Sequence, residues 1–256
     1  MTTPATLPAV EFDAPLVNPS PQGLYPVTAW TDVEGPSRFL GEGVRVRPHN
    51  YGGSDAFGVW DAEWCVDPED ATKGGERPDP DTDPFPPIVV WAYDQCDLTA
   101  PSQVEVRERV AHNLRLLEQI AVETEFAARM LADAPTPTGV ADVVAAVAVL
   151  EAALAVTNTV GLIHASPKWA APAAAANLII RSGASLKTPL GNTWVFGGGY
   201  GAGLNTTLVA TSPTFGWRDE VEIRDTIKHD HNQFVAIAER SVVVGYEAAL
   251  AAATIT

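Results

Sequence analysis

The sequence predicts an α+β chain, and three observations carry that expectation. Residues 102–132 place Val106, Val110, Leu114, Leu117, Ala121 and Leu131 at helical spacing, with Ile120 and Met130 beside them. Residues 139–156 are apolar nearly all round, the pattern of a buried helix. Between and after them lie short β-branched runs, such as "IVVWAY" at 88–93 and "NTTLVATS" at 205–212, which read as strands.

Each element follows from its local pattern. Residues 1–29 hold Pro4, Pro8, Pro15, Pro19, Pro21 and Pro26 without any period, so they read as an extended arm. Such an arm needs something to tie it down, commonly another subunit. Residues 43–66 read as a β-hairpin: Val44 and Val46 alternate with Arg45 and Arg47, "NYGGSD" turns and "AFGVWDAEWCV" returns. A two-stranded hairpin is marginal alone, so it needs a surface. The acidic, Pro- and Gly-rich stretch 67–87 reads as a loop.

The long helix is expected to open on a capping box of Ser102 and Glu105 behind Pro101. "DAPTPTG" stops it, and the apolar helix 139–156 follows. "GLIHAS" at 161–166 reads as a strand, with Ser166 and Pro167 as N-cap and N1 of a third helix over 167–182 that ends at Gly183. "ASLKTPLGNTWVFGG", "NTTLVATS" and "WRDEVEIRD" are strand-like, the last with one half-buried and one charged face. A final strand is expected around 234–247.

Charge narrows the function classes. Thirty-two acidic residues against sixteen basic ones give a net charge of −16. That balance disfavours a general nucleic-acid surface and an anionic membrane partner. The N-terminus lacks a charged n-region and an apolar h-region, so no signal peptide is expected. No unbroken run of ~18 apolar residues suits a membrane span. Cys65 and Cys96 are expected to be free thiols of an intracellular protein.

Candidate chemistry is sparse. Gly197, Gly199 and Ala202 formally match a dinucleotide fingerprint, but the following residues are β-branched rather than helical. A glycine-rich bend between strands is the simpler expectation. His229 and His231 are two apart and would share a face of a strand, so a soluble enzyme with a metal there is one alternative. A polar turn is the simpler reading, because no third ligand is near. His164 lies on an apolar strand and reads as a satisfied buried histidine. Neither a nucleophile signature nor an EF-hand spacing is present. The tryptophans Trp60, Trp64, Trp91, Trp169 and Trp194 read as core or interface anchors. What remains is architectural: an arm and a hairpin that cannot bury themselves in one subunit, pointing to a repeated assembly.

At this point a resemblance enters. "SQVEVRERVAHNLRLLEQIAVETEFAARML" resembles the spine helix of the tailed-phage major capsid proteins of the Hong Kong 97-type (Johnson) fold. "GVADVVAAVAVLEAAL" with "GLIHASPKWAAPAAAANLI" resembles the helix, strand and helix of their axial domain, and "LKTPLGNTWVFGGGYGAG" with "TTLVATSPTFGWRDEVEI" its later strands and loops. "DHNQFVAIAERSVVVGYEAA" resembles the strand that closes the peripheral domain. The implied organisation is an N-terminal arm (1–35), an extended β-hairpin loop (36–66), a linker (67–87), a peripheral domain with the spine helix (88–136), an axial domain (137–225) and a return strand (226–256).

The resemblance implies a self-assembling, non-enzymatic shell of hexamers and pentamers without cofactor or metal. It implies packaged double-stranded DNA without sequence-specific contacts, and scaffold, portal and decoration proteins as further partners. Localisation would be the virion, after assembly in the host cytoplasm. An encapsulin-like compartment shell is the alternative within the same fold. The expected contact residues between subunits are Arg45, Arg47 and Trp60 on the loop, Glu118, Glu123 and Glu125 on the spine, and Gly198 and Gly199 near a capsomer centre.

Overall fold

The structure, a computed structural model, describes residues 9–10, 12–31, 37–60, 63–65, 67, 72–77 and 82–256. The described residues before Tyr25 form no regular element; a 3₁₀ turn at Tyr25–Val27 and a short strand β1 (Ala29–Thr31) follow. A one-turn helix α1 (Phe39–Glu42) precedes the segment expected to be a hairpin. That hairpin is not formed among the described residues. Val44 makes one antiparallel bridge to Phe85, and among the described residues of the segment a 3₁₀ turn at Ser54–Ala56 is the other regular piece. Alternation along 44–47 was the sequence signal, but a ladder with no third strand or packed face does not sustain itself. Residues 61, 62 and 66 of that segment lie outside the described ones.

Strand β2 (Ile88–Cys96) leads into the spine helix α2 (Ala100–Asp133), about 51 Å long at 1.5 Å per residue. The helix begins earlier than a capping box at Ser102 requires. Thr99 is the N-cap, yet its N–H and hydroxyl both donate to Asp97 (2.9 and 2.7 Å), so its side chain caps nothing in the helix. Strand β3 (Thr138–Val140) takes the residues expected to open the second helix. That helix, α3 (Val143–Val156), starts where Asp142 can accept the N–H of Ala145 at 2.8 Å.

Strand β4 (Leu162–His164) is followed by a 3₁₀ turn and a helix α4 of six residues (Ala170–Ala175) rather than one reaching 182. Asn177 stops it. It adopts φ +56°, its N–H bonds Ala174, and the N–H of Leu178 bonds Ala173, a two-bond C-cap. Gly183 has φ +60° in the turn between β5 (Ile180–Ser182) and β6 (Ser185–Lys187), not at a helix end. Ser166 makes no cap bond. Then come β7 (Thr193–Val195), a one-turn helix α5 (Tyr200–Gly203), β8 (Thr207–Thr211), β9 (Thr214–Arg218), β10 (Glu222–Lys228), β11 (Gln233–Tyr246) and β12 (Ala249–Ile255).

These strands form two sheets. In the first, β9 and β10 pair antiparallel with successive halves of β11, β2 pairs with its other edge, and β1 adds parallel to β9. The second runs β3-β12-β8-β4-β7-β6-β5. The run 217–225, expected to be one strand with a half-buried and a charged face, is split: Trp217 and Arg218 end β9, and β10, starting at Glu222, is exposed along its whole length.

The spine helix serves both sheets. Its buried ridge runs Val106, Val110, Leu114, Glu118, Val122, Phe126 and Met130 in steps of four, not along Leu117, Ala121 and Leu131 as the apolar spacing predicted. Val106 to Leu114 and Phe126 belong to one cluster with Phe234, Ala236 and Val242 of the first sheet. That cluster also takes Leu162, Val195 and Val209 from one face of the second sheet. The opposite face of the second sheet, with Ile163, Trp194, Leu208 and Ala253, packs on Val143, Val147, Leu150 and Leu154 of α3. Alternate residues of β4 therefore serve different layers, which explains an apolar run buried on both sides.

Candidate functional site

Two buried carboxylates on the spine helix organise the centre of the molecule. Glu118 is held by Arg240 through a bidentate contact (2.9 Å from Nε, 2.5 Å from Nη2) and accepts from the Tyr25 hydroxyl. Glu123 is 0% exposed. It accepts from the N–H of Leu24, the N–H of Gly199 and the side-chain amide of Gln119, each at 2.9 Å. Burial pushes its carboxyl up, and those three donors oppose the rise. Both were expected to face a neighbouring subunit from the surface of the helix; within this chain Glu123 is fully buried and Glu118 is 4% exposed. A charge on a long helix was read as solvent-facing, whereas here each has its full set of donors inside the chain.

The glycine run ends at this same centre. Gly199 packs on the helix: a Cβ there would lie 2.3 Å from the Ile120 carbonyl oxygen and 2.7 Å from the Thr124 nitrogen. Gly203 meets Ala127 equally closely, at 2.4 Å. Within the chain, Gly199 and Gly203 form a seam against the spine helix. A single helical turn, α5, follows Gly199 where only strand was expected. Gly198 is exposed, with Ile120 Cγ1 3.3 Å from its virtual Cβ.

His164 sits in the layer between spine and second sheet, fully buried. Its Nδ1 pairs with the Tyr200 hydroxyl and its Nε2 with Thr211 Oγ1, both at 2.9 Å, with Phe126 edge-on. Burial pushes its pKa down to about 3. The depressed value gives stability that is present above the free-imidazole pKa of about 6.5 and is lost as pH falls toward 3. At about 1.36 kcal/mol per pH unit this is on the order of 5 kcal/mol. Unfolding free energy is expected to fall steeply between pH 6.5 and 4 in urea titrations. In His164→Gln that slope is expected to flatten, and an unchanged slope would refute the assignment.

His229 and His231 lie in the exposed turn between β10 and β11, where His231 faces Asp230 at 3.3 Å. Among the described residues no group of three or more His, Cys, Asp or Glu is placed to hold a metal ion. No helix of the described residues is long and apolar enough to cross a membrane.

Surfaces that bury nothing on this chain are concentrated before the spine. Phe57, Val59 and Trp60 are exposed, and Trp64 is 97% exposed. Lys73 lies 4.8 Å over the Trp60 ring. Arg45 and Arg47 are exposed on the same segment. Its base is pinned by Glu247, which accepts from the backbone N–H groups of His49, Asn50 and Tyr51 and from the Asn50 side chain. A groove of about 730 Å³ runs between β2 and α2, lined by Ile88, Trp91, Leu114, Leu117, Glu125 and Arg129 among others. Arg129 closes one end, donating to the carbonyls of Pro84 (2.9 Å) and Asp83 (3.1 Å) over the Phe85 ring. Of the three spine glutamates expected at an interface, Glu125 is the exposed one.

The chain is similar in fold to solved structures of shell-forming proteins. The chain superposes on the capsid of an empty GTA particle with TM-score 0.56 and 11% identity, covering 98% of this chain and 94% of that one. The SrpI encapsulin of Synechococcus elongatus PCC 7942 gives TM-score 0.56 at 12% identity, covering 97% and 91%. This is the Hong Kong 97-type capsid fold. The capsid of a native GTA particle agrees at TM-score 0.53 and 12% identity, over 98% and 94%. No family model matches the chain, and no curated protein matches it.

Proposed function

We propose that this chain is the major capsid protein of a tailed double-stranded DNA phage, assembling as hexamers and pentamers into an icosahedral head. The observation that carries this reading is the agreement of nearly the entire chain with shell subunits, 98% of it for the GTA capsid. The net charge of −16 fits a wall that encloses DNA without gripping it. On this reading the protein acts in the virion after assembly in the host cytoplasm. Scaffold, portal and decoration proteins are its further partners, and no residue carries a catalytic role. A second reading, a compartment shell around protein cargo, rests on the equal TM-score of the SrpI encapsulin.

The contact we propose places Arg45, Arg47 and Trp60 of one subunit at the spine groove of its neighbour, with Glu125 as the acidic partner and Gly198 beside Ile120 at the rim. Each exposed pair contributes only ~0–1 kcal/mol, but the contact repeats throughout a shell. Negative-stain microscopy of purified particles tests the reading: closed shells are expected, containing DNA for the phage reading and protein cargo for the second. A monodisperse small species would refute both. Arg45→Glu with Arg47→Glu is expected to cut shell yield strongly, and undiminished shells would sink the proposed contact.

A further inference from the structure

The exposed loop changes character at a single residue. Tyr51 is 9% exposed, whereas every residue from Gly52 to Trp60 is exposed. The root before that boundary is held by one carboxylate. Three successive backbone N–H groups, those of His49, Asn50 and Tyr51, converge on Oε1 of Glu247, and the Asn50 side-chain amide donates to Oε2 at 2.8 Å. Successive N–H groups aimed at one point form a nest that suits an anion. Gly52 follows at φ +78°, a left-handed conformation that glycine adopts without strain, and turns the chain away.

Glu247 is itself fixed from behind. It lies between β11 and β12, where its N–H donates to the Ser212 hydroxyl at 2.9 Å and that of Ala248 does so at 3.2 Å. The Tyr51 hydroxyl pairs with Thr159 Oγ1 at 3.1 Å, and Thr159 pairs in turn with Thr157 at 2.8 Å, just past α3. Burial raises the Glu247 carboxyl, but the Asn50 amide and the three N–H groups outweigh it and hold it below the usual carboxylate range. The side chain is therefore charged at neutral pH. We propose that Glu247 is a latch that aims the exposed loop: while its carboxylate fills the nest the root is rigid, and loss of that carboxylate frees residues 49–60 with the body still folded. The charge matters because a carboxylate only accepts, so all four donors are met, and charge-assisted bonds are roughly twice as strong as neutral ones. Local opening of this kind needs far less free energy than unfolding of a packed sheet. The latch decides where the Trp60 ring is presented. It goes beyond the shell reading, because it lies within one chain and holds whatever Trp60 docks on.

The test is hydrogen exchange of the full chain at pH 7, at a dilution where light scattering detects no particles, read on peptides that cover residues 49–51. Glu247→Gln replaces one accepting oxygen by another donor and removes the charge with little change in size. Exchange of the 49–51 amides is expected to rise at least tenfold in that variant, with β11, β12 and the thermal midpoint unchanged. Asn50→Ala removes one donor and leaves the three N–H groups. It should give a smaller rise in the same peptides, and it keeps the test valid if Glu247→Gln does not fold. Unchanged exchange at 49–51, a rise shared equally by β11 and β12, or wild-type amides that already exchange as fast as a free peptide would each overturn the proposal. Microscopy of the same proteins at higher concentration separates the two ideas. Shells together with an unchanged exchange defeat the latch alone, and the tenfold rise in a chain that forms no shells defeats the shell reading alone.

Discussion

Arg240→Ala is expected to lower the unfolding free energy by about 3 kcal/mol or more. The variant removes both guanidinium bonds to Glu118, whose side chain is only 3% exposed, and leaves a buried carboxylate with the Tyr25 hydroxyl alone. An uncompensated buried charge costs more than the pair contributed, because desolvation is no longer offset. The urea midpoint should drop with little change in slope. Replacing both partners, Arg240→Met with Glu118→Leu, should recover most of the loss, since two apolar groups need no donors. Equal losses in the single and double variants would show that packing, not charge, is at stake.

The second large effect is expected at the glycine seam. Gly199→Ala should cost roughly 3 kcal/mol, because the new methyl meets backbone atoms of α2 at 2.3 and 2.7 Å and backbone does not yield as a side-chain tip does. It would also strain the bond from the Gly199 N–H to Glu123. Gly198→Ala, one residue away, faces the flexible Ile120 side chain at 3.3 Å and should stay within about 0.5 kcal/mol. Thermal or urea unfolding of the two variants checks the contrast. Similar behaviour at both positions would contradict the seam.

Much of the architecture was legible from local pattern. The spine helix, the apolar second helix, the turn at 229–232 and the long closing strand all follow from periodicity and turn residues that need no partner to interpret. The errors share a physical origin: they arise where a tertiary partner reverses a local preference. Glu118 and Glu123 read as solvent-facing because their donors, Arg240, Leu24 and Gly199, come from distant parts of the chain. Leu117 and Ile120 read as core, although both are exposed and Leu117 lines the open groove. A third helix through 182 looked continuous until Asn177 took a left-handed conformation, which Asn tolerates better than most residues. The signal that would have located Glu118 is its spacing. Glu118 continues the i, i+4 series of Val110, Leu114, Val122 and Phe126, so the ridge passes through it.

The spine helix has a mechanical consequence. One continuous rod of 34 residues carries the hydrophobic ridge of both sheets, with no loop interrupting it between them. Its axial hydrogen bonds make it stiff, so a load applied to the first sheet reaches the second through the rod and not through a compliant connection. The glycine seam and the Glu123 anchor sit midway along it, where the turn after β7 would otherwise be free to slide. The chain is thus braced like a beam with two plates riveted to it.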